Sequence, residues 1–299
     1  FRQAWVQPFG TPDGLPNEWL QCVYYDREGN AWIGTSKSGL IRLRRRALEV
    51  YDTTRGLSHD STWTLGRGPD DSVWVGTEKG LSRLKDGSFS EYPLAQVRAL
   101  VTSPSGEFWA ASKAELNRLG DAQFTPMDVP AKRWNEIRAL VEDAPGTLWM
   151  GTDTGLHHVR TAPPISIMAT RELPNNDVRA LMRDRAGDLW AGTAGGGLTR
   201  WRNGQIDEFT TKNGLAHDSV RAIHEDEQEP GVLWIGTSGG LSRFKNGRIS
   251  TITRRHGLWD DLINYIVEDN AGYLWISCSR GIFGVRKREL ADIADARSS

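Results

Sequence analysis

"VLWIGT", residues 232–237, decides the fold of this 299-residue chain, because the chain repeats it. "NAWIGT" (30–35), "SVWVGT" (72–77), "TLWMGT" (147–152) and "DLWAGT" (188–193) are near copies, and "EFWAAS" (107–112) and "YLWISC" (273–278) are weaker ones. The tryptophans stand at 32, 74, 109, 149, 190, 234 and 275, in steps of 42, 35, 40, 41, 44 and 41. A period near 40 residues marks a modular array. One period, residues 214–252, reads "GLAHDSVRAIHEDEQEPGVLWIGTSGGLSRFKNGRISTI". Within it "SVRAIHED", "VLWIGT", "LSRFK" and "RISTI" are short strand-like runs, and "EQEPG", "SGG" and "NG" are the turns between them. No stretch leaves room for a long amphipathic helix.

Four hairpin-linked strands per period and seven periods predict an all-β fold, a seven-bladed β-propeller with four antiparallel strands per blade. The strands are lettered A to D from the axis outward. A single blade is marginal alone and buries its faces against two neighbours, so the array must repeat. The repeated Trp on strand B is expected to be a wedge between blades. The Gly two positions later is expected to permit close backbone approach. At the start, "WVQPF" (5–9) precedes "TPDGLP" as "EFT" (207–209) precedes "TKNGLA". The chain therefore opens on a D strand, and its last period lacks one. The N-terminal strand should complete the last blade and close the ring, with Pro8 tolerated on an outer edge. Residues 1–287 are expected to form the propeller, and 288–299 a C-terminal tail or a linker to a downstream domain.

Composition narrows the function classes. The chain is 38 % hydrophobic and 25 % charged, a soluble globular balance. No apolar run approaches the roughly 20 residues needed to span a bilayer. A formal net charge of −1 offers no general attraction to nucleic acid or anionic lipid, so no nucleic-acid partner is expected. The two cysteines, Cys22 and Cys278, make neither a disulfide framework nor a metal spacing, although a single bridge between them stays open.

Motifs for catalysis are weak. "GTSGG" (236–240) has the form of a nucleophile elbow, but it falls in the B–C hairpin of the sixth period rather than on a strand-to-helix turn. None of the six histidines has a helical zinc spacing, and His157 and His158 are consecutive on a strand and so face opposite sides. "EDEQE" (225–229) lacks the alternating ligands and Gly of a calcium loop and reads as a solvated A–B turn. No catalytic residue, metal or cofactor is expected.

The mouth of the axial channel is more informative. Aligned by the repeat, the third position of each A strand reads Gln21, Trp63, Arg98, Arg138, Arg179, Arg221 and Asn264. Trp134 and Trp259 fall in nearby loops. Three positions before the ring residues stand Glu18, Asp60, Ala95, Asn135, Asn176, Asp218 and Asp261. In one reading these acids and Asn cap their turns, and each Arg pairs with an acid on the adjacent blade. In the other, Arg98 to Arg221 form a positive arc that grips a small anion or an acidic sugar.

The repeats resemble the two-component regulator propeller family, whose pattern runs GLP-x-N-x-V, an acidic turn with Gly, LWIGT, then GL-x-R. "GLPNEWLQCVYYDREGNAWIGTSKSGLIRL" (14–43) follows it closely, while the third period replaces Gly-Thr by Ala-Ser and the Gly-Leu turn by "KAEL". The resemblance implies a non-catalytic sensor domain of a bacterial membrane receptor, on the periplasmic or extracellular side. The rest of the receptor would lie in cis, and a homodimer is a further possible partner arrangement. The expected ligand is a small anion or a carbohydrate. The alternatives from other classes are a propeller lyase or hydrolase, and a protein-interaction scaffold.

Overall fold

Each period folds into one four-stranded antiparallel sheet, and seven sheets surround a common axis. A computed structural model of the protein describes residues 7–9, 14–15, 19–26, 29–44, 47–103, 105–121, 123–129, 134–161, 166–169, 173 and 175–296. The blades occupy residues 20–51, 62–92, 97–126, 137–169, 178–209, 220–252 and 263–286. The innermost strands touch all the way round, blade 7 against blade 1 included. The edge strand Gln7–Phe9 pairs with Gly281–Arg286, with Pro8 opposite Phe283, and so supplies the fourth strand of blade 7.

The repeated word on strand B carries a separate task at each letter. In blades 1, 2, 3, 5 and 6 all five B-strand residues are buried. The indole N–H of Trp32, Trp190, Trp234 and Trp275 donates to an aspartate of the A–B turn, Asp26, Asp184, Asp226 and Asp269, at 2.7 to 3.2 Å. In blade 2 that turn has Gly68, and Trp74 Nε1 is left without a partner. The Gly lies against the first A-strand residue of the next blade. A Cβ at Gly192 would stand 2.5 Å from Val220 Cγ1, and one at Gly236 2.6 Å from Ile263 Cγ2. The Thr hydroxyl closes the B–C turn by donating to a backbone carbonyl, Thr77 to Gly80 and Thr237 to Gly240 for example, and Cys278 Sγ does the same toward Gly281 in blade 7.

The Arg of GL-x-R stands directly across the ladder from the Trp. Arg42, Arg83, Arg118, Arg200 and Arg243 each hold their guanidinium 5.4 to 5.8 Å from the ring of the paired Trp32, Trp74, Trp109, Trp190 and Trp234. In blade 4 His158 takes this place over Trp149, at 4.3 Å between ring centres. The Gly-Leu word has its own reason. Gly214 (φ 97°) and Gly257 (φ 97°) end short 3₁₀ turns in the left-handed region that favours glycine, and the Leu that follows, Leu215 or Leu258, is buried.

Residues Lys287–Asp295 form a helix rather than a loose tail. Lys287, Leu290 and Ala294 share its buried face. The helix lies on the outer strand of blade 6 and the third strand of blade 7. Lys287 Nζ reaches Asp226 Oδ1 (2.7 Å) and Glu268 Oε1 (2.5 Å), and Arg243 Nη1 reaches Asp295 Oδ1 (2.6 Å). Asp226 belongs to the acidic run expected to be solvated, and it is buried instead, because it serves Trp234 and Lys287. Both cysteines are free and buried, so no bridge joins them, and burial pushes each thiol up to about 12.

Two outcomes follow from this packing. Gly192→Ala overpacks the contact with Val220 and is expected to cost about 1–3 kcal/mol in chemical denaturation. Lys287→Met removes the cation that two buried carboxylates share and is expected to cost about 3–5 kcal/mol at neutral pH. Burial opposes the charge of Asp226 and Glu268, but the bonds from Lys287 and its neighbours prevail and hold both carboxyls below their ordinary range. That contribution is therefore present above the ordinary carboxylate range of about 4 and lost as pH falls through the depressed values, so the Lys287→Met penalty shrinks on acidification.

Candidate functional site

In all seven blades the A–B ladder slips by one residue near the start of strand A. The register shifts fall between Leu20 and Cys22, Thr62 and Thr64, Val97 and Ala99, Ile137 and Ala139, Val178 and Ala180, Val220 and Ala222, and Ile263 and Tyr265. The extra residue of each bulge is Gln21, Trp63, Arg98, Arg138, Arg179, Arg221 or Asn264. A bulge leaves one residue unpaired and re-aims its side chain. Together with Glu136, these seven side chains line one axial cavity of about 400 Å³.

The B–C turns close the same mouth. Ser36, Glu78, Lys113, Asp153, Ala194 and Ser238 each donate a backbone N–H to the carbonyl of the residue just before the A strand, from Trp19 round to Ser219. "GTSGG" is one of these turns. Its Ser238 Oγ accepts from Arg221 Nε at 3.2 Å, a structural duty in a hairpin.

The ring is an interlocked series of contacts. The Arg98 guanidinium lies 3.9 Å from the centre of the Trp63 ring. Glu136 pairs with Arg98 across the blade boundary and with Arg138 Nε at 2.8 Å on its own blade. Asp177 pairs with Arg138 across the next boundary and with Arg179 Nη2 at 3.3 Å. Arg221 Nη1 reaches Asn264 Oδ1 (3.1 Å), and Asn264 Nδ2 donates to Leu20 O (3.0 Å), which carries the series to blade 1. Four arginines thus face two carboxylates, an excess of two positive charges. Burial, and next the charge of Arg138, hold Arg179 below the ordinary guanidinium range, and burial and Arg179 do the same to Arg221. Both remain charged at neutral pH.

Pairing with an acid of the adjacent blade is therefore present for Arg98 and Arg138, while Arg179 pairs within its own blade and Arg221 reaches neutral oxygens. Glu136 and Asp177 stand two residues before their own ring arginine, not three. The earlier set caps turns: Asp60, Asp218 and Asp261 accept from the backbone N–H of Thr53, Thr211 and Arg254 at 2.7 to 2.8 Å, and Asn135 bonds to Asp153. Glu18 lies outside the described residues. Trp134 and Trp259 are absent from the cavity lining. The Trp134 indole is buried, donates to Ala114 O at 3.1 Å and packs at a tilt against His157, while Trp259 packs edge-on to Phe283 beneath the Arg280 guanidinium. Trp134 is thus held between blades 3 and 4 and Trp259 against blade 7, both by contacts away from the ring.

The histidines stay away from the cavity as well. His59 and His217 accept from Ser61 N and Ser219 N in their own turns, His224 faces Glu268, and His256 closes a 3₁₀ turn at Thr253. Among the described residues no group of three His, Cys, Asp or Glu side chains is placed to hold a metal ion. Large exposed apolar side chains among them come down to Trp19 (55 % exposed) and Tyr265 (40 %), too few for an apolar docking patch. No helix among the described residues is long and apolar enough to cross a membrane.

Removing one bridging acid should be visible. Asp177→Asn is expected to lower stability by about 1 kcal/mol, because Arg138 and Arg179 then repel without an intermediary, and the loss should shrink in high salt. Urea denaturation at low and high ionic strength checks this.

Residues 14–37, 132–154 and 172–195 match the sequence model of the two component regulator propeller family. Among curated proteins, none is significantly similar in sequence. Among solved structures, the extracellular domain of a hybrid two component system from B. thetaiotaomicron superposes with a TM-score of 0.81 at 20 % identity, over 95 % of this chain and 42 % of that one. The chain thus spans less than half the length of that structure. Virginiamycin B lyase from Staphylococcus aureus gives 0.75 at 16 % identity, over 94 % of this chain and 98 % of the lyase. YCF48 bound to D1 peptide gives 0.71 at 14 % identity, over 96 % and 97 %. Identities this low establish a common fold and leave the site to be argued from this chain's own residues.

Proposed function

The chain carries two-component regulator propeller repeats, and from them and the arginine-lined funnel we propose that it is a non-catalytic, ligand-binding sensor module of a bacterial signalling receptor. The observation that carries this reading is the bulge-borne ring. Seven unpaired backbone positions aim their side chains at one cavity, and four consecutive ones are arginines. Such a mouth suits a small anion or an acidic sugar, gripped by guanidinium groups in charge-assisted hydrogen bonds. Binding is favoured over turnover by what reaches the cavity: guanidiniums, two amides, one indole, and one carboxylate already shared by two arginines. None of these is a free acid–base pair of the kind proton transfer requires.

In this reading the propeller faces the outside of the cytoplasmic membrane, as the extracellular domain of the B. thetaiotaomicron system does, and the remainder of the receptor lies on the same polypeptide. A ligand can signal only by its differential affinity for two receptor states, here through the way propellers or protomers pack.

A thermal-shift screen of carboxylated metabolites and oligosaccharides tests the reading on the parent and on Arg138→Ala/Arg179→Ala. A ligand at about 100 times its Kd should stabilise the parent by about 2.7 kcal/mol. The shift should vanish in the double variant. A ligand that stabilises both proteins equally would remove the funnel as its site.

A further inference from the structure

Blade 6 breaks a pattern set by blades 4 and 5. In blades 4 and 5 the residue just before the innermost strand is an acid in the same backbone setting. The carbonyl of Glu136 accepts from Asp153 N (3.1 Å), and that of Asp177 accepts from Ala194 N (2.9 Å). Each carboxylate joins a ring arginine of its own blade to that of the preceding blade. Glu136 joins Arg98 to Arg138, and Asp177 joins Arg138 to Arg179. The next member of the series would join Arg179 to Arg221.

The residue at that position is Ser219. Its carbonyl makes the equivalent bond to Ser238 N (3.0 Å), so the backbone is set as in the two preceding blades and only the acid is missing. Arg221 reaches the neutral oxygens of Ser238 and Asn264, and among the described residues no carboxylate pairs with it. Arg179 has Asp177 on one side, at the long distance of 3.3 Å, and Arg221 as the next ring member on the other. Two guanidiniums that face one cavity with no anion between them are a costly arrangement for a fold to keep. The two preceding boundaries show how the same geometry is neutralised.

We propose that a ligand carboxylate fills this gap, lying between Arg179 and Arg221 as Asp177 lies between Arg138 and Arg179. The inference rests on the funnel being a ligand site and narrows the ligand to a small carboxylic acid or the acidic end of a sugar. A carboxylate has the planar pair of oxygens that two guanidiniums can share. The Ser238 hydroxyl and Asn264 amide stand beside the gap as further polar groups.

Ser219→Asp tests this, because it supplies the absent acid from within the protein. Titration calorimetry with glucuronate, malonate and glucose is expected to give carboxylate binding in the parent, about a tenfold or greater loss in Ser219→Asp, and near-parent affinity in Ser219→Asn, which matches the size without the charge. Arg221→Gln leaves the blade 6 backbone untouched and should lose binding as well, so the test stands even if Ser219→Asp does not fold. Glucuronate bound in preference to malonate identifies the sugar acid as the source; malonate bound as well as glucuronate identifies the plain acid. Equal losses in the Asp and Asn variants, or a parent that binds neither carboxylate, overturn the proposal. Carboxylate binding that survives Ser219→Asp but disappears in Arg138→Ala/Arg179→Ala overturns the gap alone and leaves the funnel reading standing.

Discussion

Neighbouring blades sit as close as a residue without a side chain allows. At Gly76, Gly151, Gly192 and Gly236 a Cβ would meet the first inner-strand residue of the following blade at 2.5 to 3.0 Å. That approach sets the blade spacing, and the other features of the B strand follow from it. The Trp two positions earlier is sealed between walls that cannot separate, so its N–H needs an acceptor inside the protein. The A–B turn provides one as an aspartate in four blades. The cross-strand arginine then covers the ring from the outer side. Blades 3 and 7 have Ala111 and Ser277 at the glycine position, and they are also the two whose B-strand words depart from the pattern.

Close packing near the axis also accounts for the site. Strands that crowd together there cannot turn large side chains inward while keeping a regular ladder. The bulge at the start of each A strand releases one residue from the pairing and lets it face the mouth. The arginines of the array thus divide into two populations. Those on the third strand lie over tryptophans within the blade walls, and those on the bulges meet in the cavity. Similar side chains a few residues apart in one repeat do different work because the ladder holds one and frees the other.

The period, the blade number, the closing strand and the seven ring positions were all legible in the sequence, because repetition averages out local noise: a residue type at the same offset in seven copies has one explanation. What was not legible had no repeat to support it. Glu136 and Asp177 occur at a position held elsewhere by Trp19, Ser61, Gln96, Ser219 and Leu262, so no alignment of the copies singles them out. The available signal was the pair "NEIRAL" and "NDVRAL", in which an acid two residues before an arginine occurs in consecutive blades. Trp134 and Trp259 lie near the ring residues along the chain, but their indoles are absorbed by contacts with Ala114, His157 and Phe283. The buried Lys287 cluster joins residues 61 positions apart, outside any single period.

A bulged residue contributes little to the ladder that holds its blade together, so the mouth-lining letters are constrained mainly by the contacts they make with one another and with the next blade. Substituting them rewrites the chemistry of the aperture without touching the strand pairing of the blade beneath, and letters that contact one another change best in combination. The wheel is in effect a seven-place dial mounted on a fixed chassis. Its current setting of one amide, one indole, four guanidiniums and one amide is a single choice from a very large set, available to selection or to a protein engineer without rebuilding the frame.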